Sequence, residues 1–69
     1  MSSEKHIKAM VLAEACQKIG AIAERSNDIN VARSLWIAQL MVHGDLVDAA
    51  GGFPEAELYM KSARLQDNR

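Results

Sequence analysis

Two short interruptions, "SND" at 26–28 and "GGFP" at 51–54, are the only clear punctuation in a chain that otherwise reads as continuous helix. Ser, Asn and Asp are turn and N-cap residues, and their side-chain oxygens satisfy the backbone N–H groups that open a helix. Gly51 or Gly52 can take the left-handed conformation that closes a helix, and Pro54 suits the first turn of the next one. With Ser2, Ser3 and Glu4 offering capping chemistry at the start, three helices are predicted, over about 4–25, 29–50 and 54–66, with a frayed tail at "QDNR". The fold class expected is all-α: an antiparallel helical hairpin plus a short C-terminal helix, in one domain spanning 1–69.

At 69 residues the chain buries a smaller fraction of its surface than a typical domain, so something must supplement its core. A disulfide within the chain is excluded because Cys16 is the single cysteine, and no Cys/His spacing matches a zinc site. Oligomerisation is the remaining common solution. A homo-oligomeric helical bundle is therefore expected, with no metal and no cofactor. The longest uncharged run, 34–44, is too short for a membrane span of about 20 apolar residues, and no signal-peptide pattern opens the chain. A lone thiol without an export signal points to the cytoplasm. Eight basic against nine acidic residues, a net charge of −1, argue against a general nucleic-acid binder, which needs several cations to neutralise phosphates.

Placing residues at 100° per position assigns faces. In the first helix Leu12, Ala15, Cys16, Ile19, Ile22 and Ala23 form one stripe, with Glu14, Gln17, Lys18, Glu24 and Arg25 away from it. In the second, Ala32, Leu35, Trp36, Val42, Leu46, Val47 and Ala50 share a wide apolar face. Ile37 and Met41 fall on the polar side, as though the third helix or another subunit covers them. A helix apolar nearly all round is buried on several sides, so Leu35, Trp36, Ile37, Met41, Val42 and Leu46 are the interface candidates.

Gln39 and His43 sit inside the apolar face, one turn apart. They can form a polar layer that fixes helix register, bonding each other or a symmetry mate. They can equally line a ligand pocket, where a few placed polar groups among apolar walls give specificity. His43 has no carboxylate at i±4 to orient it, which argues against catalysis or metal binding. Cys16 reads as a small buried hydrophobe. Trp36 reads as a core or interface anchor. The run "DLVDAAGGFPEAELYMKSARL" has the outline of a helix-turn-helix, but one register buries Glu57, the next buries Asp48, and its second helix opens with Glu55 and Glu57, which phosphates repel. These grounds argue against DNA as a partner.

The run "QKIGAIAE" (17–24), a short polar turn and "RSLWIAQL" (33–40) resemble the helical-hairpin domain of phage proteins that act as sponges for cyclic-oligonucleotide immune signals. The matching positions are Ile19, Gly20, Arg33, Ser34, Leu35 and Leu40, within residues 17–40. The resemblance implies an intertwined oligomer that holds a small signalling nucleotide between subunits without chemistry. Arg33 would then meet phosphate, Ser34 would supply a hydroxyl, and Gln39 or His43 would bond a base. The expected function is thus a small non-enzymatic binding protein of phage or plasmid accessory type, sequestering a cyclic-nucleotide immune signal.

Two other readings use the same helices. One is an interaction protein that regulates or inhibits a host protein through Ile37, Met41, Tyr59 and Met60. The other is a dimeric four-helix bundle that binds RNA through Lys5, Lys8 and Lys18. No nucleophile–base pair, paired carboxylates or phosphate loop points to an enzyme.

Overall fold

The computed structural model describes residues 2–67, with side chains from 4 to 66; the capping expected of Ser2 and Ser3, and the tail at 68–69, lie outside the described residues. Three helices follow in order: α1 (Ser2–Arg25), α2 (Ile29–Ala50) and α3 (Phe53–Asp67). The two breaks do the work their residues suggest. Asp28 is the N-cap of α2, its Oδ1 accepting from the Asn30 N–H at 2.9 Å and the Val31 N–H at 3.2 Å. Gly51, at φ 98°, closes the same helix in the left-handed region, and the N–H groups of Gly51 and Gly52 both reach the Val47 carbonyl.

The chain runs up, down and up. Cys16 meets Gln39 across the α1–α2 hairpin, and His6 meets Tyr59 between α1 and α3, with Nδ1 and the phenol oxygen 2.7 Å apart. The α1–α2 contact is the most extensive. On α1 it is made by a seam of small residues, Ala9, Ala13, Cys16, Gly20 and Ala23, all buried, spaced alternately four and three apart. The matching row on α2 is Ala32, Leu35, Gln39, Val42, Leu46 and Ala49, with the complementary three-and-four spacing of two helices packed nearly antiparallel. Small side chains let the two backbones approach closely, and Leu46 fills the space among Ala9, Ala13, Cys16 and Ala56.

This seam corrects the expected stripe on α1. Ala9, Ala13 and Gly20 belong to its centre, whereas Ile22 is largely exposed. On α2, Leu46 is fully buried within the single chain and so holds its own α1 and α3, while Leu35 and Val42 are half-buried in it. Nor does α3 cover Ile37 and Met41, which stay exposed. With 15 residues, α3 lies along the first half of α1 and the second half of α2. The turn end of the hairpin therefore projects without a third helix, which is where Ile22, Ile29, Val31 and Trp36 remain open to solvent.

The result is a slab of 41 × 26 × 18 Å with a radius of gyration of 12.4 Å. A compact chain of this length has about 11 Å. Its accessible surface of 5164 Å² likewise exceeds the roughly 4,300 Å² expected of a folded monomer of its mass. No described helix is long and apolar enough to cross a membrane.

Candidate functional site

Gln39 and His43 both line an open groove of about 270 Å³ between α2 and α3, with Cys16, Leu40, Met60, Glu57 and Arg64. The Gln39 amide is already engaged: Nε2 donates to the Cys16 carbonyl at 2.9 Å. Its partner within the chain is thus an α1 backbone oxygen and not His43. The His43 ring lies half-buried with its centroid 6.4 Å from that of Phe53. Arg64 donates to Glu57 at 3.2 Å across the rim, an exposed pair. Arg33 and Ser34 are exposed and do not line this groove, so the four residues assigned to a ligand are divided between the groove and the open surface of α2.

The Gln39 bond depends on a missing side chain. A Cβ on Gly20 would stand 2.7 Å from Gln39 Nε2, far inside contact distance, and 3.7 Å from the Trp36 ring. Alanine at position 20 gains up to about 1 kcal/mol of helix propensity, but displaces an amide whose lost bond and crowding cost about 1–3 kcal/mol. Gly20→Ala is therefore expected to destabilise the chain, and the same substitution in a Gln39→Ala background to stabilise it. Denaturant titration of the four proteins of the cycle reads this reversal of sign.

Cys16 is fully buried beside that bond, its thiol only a weak donor to the Gln39 carbonyl at 3.9 Å. Burial pushes the thiol above its ordinary pKa of 9.0. The folded state therefore holds the proton more tightly than the unfolded one, and stability falls as pH rises from the ordinary thiol value toward the folded one. A Cys16→Ala variant is expected to lose that component of the alkaline decline, measured by denaturation midpoints on either side of pH 9.

The larger feature is the outer face of α2. Ile29, Ile37, Leu40 and Met41 form one ridge around Arg33 and Gly44 on the side away from α1, with Trp36 at its edge. Leu40 is 72% exposed, Met41 71%, Ile37 55% and Trp36 41%. Together these side chains leave on the order of 600 Å² of apolar surface open, at the upper end of what a monomer tolerates in one patch. Trp36, expected as an anchor, touches the Gly20 side of α1 with one edge and solvent with the other.

The basic residues of α1 make no comparable face. Lys18 pairs with Glu14 at 2.9 Å, and Lys5 and Lys8 border a groove shared with Asp45 and Asp48. Among the described residues no group of three or more His, Cys, Asp or Glu side chains could hold a metal ion. No protein-family model, curated protein or solved structure matches the chain.

Proposed function

We propose that this chain is a small non-enzymatic interaction protein that works as a homo-oligomer, with the outer face of α2 as its working surface. Its action is to associate through that face and, as the assembled oligomer, to regulate or adapt a protein partner, without chemistry on a bound small molecule. One observation carries this reading: the ridge of Ile29, Trp36, Ile37, Leu40 and Met41 is apolar, contiguous and uncovered by the chain's own helices. Soluble monomers rarely leave such a surface open.

Capture of a cyclic nucleotide has weaker support in the geometry. The groove holding Gln39 and His43 is open and about 270 Å³, at the small end of small-molecule pockets, and one N–H of the Gln39 amide is engaged by the Cys16 carbonyl. Arg33 and Ser34, the residues for phosphate and hydroxyl contacts, stand outside it. The test pairs two measurements on the full chain. Sedimentation should give a mass above one chain that Leu40→Glu reduces, and calorimetry against cyclic di- and trinucleotides should give no heat at tens of micromolar protein. Binding heat with a single-chain mass would overturn the proposal.

A further inference from the structure

The occupant of the α2 ridge is identified by its charges. Arg33 is the one Lys or Arg of α2 and stands in the first half of the ridge, while Asp45 and Asp48 stand in the last two turns, at the edge that borders Lys5 and Lys8 of α1. Between them the seam that leads away from α1 runs Arg33, Ile37, Leu40 and Gly44, four, three and four residues apart, and the next position in the row, Val47, packs against the core. This is a second helix-packing row, on the side of α2 opposite to the one used by α1. Gly44 has open space where a side chain would stand, and it is exposed in mid-helix. A glycine there costs about 1 kcal/mol relative to alanine, and no contact within the single chain accounts for it.

We infer that the ridge receives a second copy of the same chain, its α2 antiparallel to the first about a two-fold axis between Leu40 and Met41. This rests on the reading of the α2 face as the working surface. In that register Arg33 of each copy stands level with Asp48 of the other, Ile37 faces the gap at Gly44, and Leu40 and Met41 each meet their own copy beside the axis. An isologous contact makes each of these pairings twice. A parallel arrangement would set Arg33 on Arg33 and Asp48 on Asp48, and would align the two helix dipoles, so charge selects the antiparallel form. The area agrees. An α2 about 33 Å long, with on the order of 600 Å² of apolar surface plus the flanking Arg33 and Asp48, approaches the ~800 Å² per partner of a standard interface. The dimer is a bundle with the two α2 helices at its centre and an α1 on each outer side.

Spin labels placed singly at two positions test this geometry. In a Cys16→Ala background, Met41→Cys should give a separation of about 10 Å across the axis. Ile29→Cys should give about 35 Å, since 23 residues of rise separate the two copies at that position. About 10 Å at both positions would mean parallel pairing and would overturn the antiparallel dimer while leaving the α2 face as the surface used. Long distances at both positions in a protein of dimer mass would place the contact on another face and overturn both. A single-chain mass throughout would also overturn both.

A charge exchange gives an independent reading. Arg33→Glu and Asp48→Lys should each weaken association about tenfold, because two pairs turn repulsive in each dimer. Combined, they should restore it to within about threefold. Each substitution places the favoured charge at its own helix end, and because Asp48→Lys also adds a cation beside Lys5 and Lys8, circular dichroism at a concentration where the chain is single should show each variant as helical as the unsubstituted chain before association is compared. Failure of the combination to restore association would overturn the register.

Discussion

Leu46→Ala is expected to cost about 3–4 kcal/mol and to lower the thermal midpoint by about 15–20 °C. Leu46 is the one large side chain among the described residues that is fully buried, and its neighbours Ala9, Ala13, Cys16 and Ala56 are too small to move into the space it leaves. A Leu→Ala cavity is most costly where the surroundings cannot collapse. For a chain of this size such a loss is a large part of the whole folding free energy. Leu65→Ala, on the exposed side of α3, removes the same atoms from an open position and should change stability by no more than about 0.5 kcal/mol. Equal effects at the two sites, read by calorimetry at one protein concentration, would contradict an α1–α2 core centred on Leu46.

The second large effect concerns association and has the opposite pattern. Leu40 is among the most exposed apolar side chains of α2, so Leu40→Glu should leave the folding of a single chain within about 0.5 kcal/mol of the original. In the dimer the substitution would place two carboxylates beside the axis, each losing water without a partner. A buried unpaired charge costs several kcal/mol, so association should weaken by at least about 100-fold. The two effects separate cleanly by concentration. A protein stabilised by self-association has a thermal midpoint that rises with protein concentration. The unsubstituted chain should show that rise, and Leu40→Glu should lack it.

The helices and their limits were legible because capping chemistry is local. Asp28 and Gly51 act through their own backbone neighbours, and the expected spans meet the observed ones within two residues at every described end. The α1 seam was harder to read. A stripe judged by side-chain size favours Ile22 and Leu12, but a close helix–helix approach selects Ala9, Ala13 and Gly20, whose value lies in what they lack. Where α3 ends decided the rest. Trp36 and Ile22 would be covered by a third helix as long as the first two, and α3 is too short to reach them.

Gln39 lies half-buried on the α1 side of α2, and its partner is a backbone carbonyl made accessible by Gly20, a pairing across 23 residues that no local pattern announces. Ile37 and Met41 carried the clearest early signal. Their position on the polar side of α2 marked a second apolar face, and in the folded chain that face is still open.

Sedimentation equilibrium of the full chain over a range of concentrations, from below one micromolar to some hundreds, tests the central claim most directly. The self-associating α2 face requires twice the 7.6 kDa chain mass at tens of micromolar, falling toward a single chain on dilution. Leu40→Glu should stay at the single-chain mass across the range. A mass of 7.6 kDa at every concentration for the unsubstituted chain would contradict it.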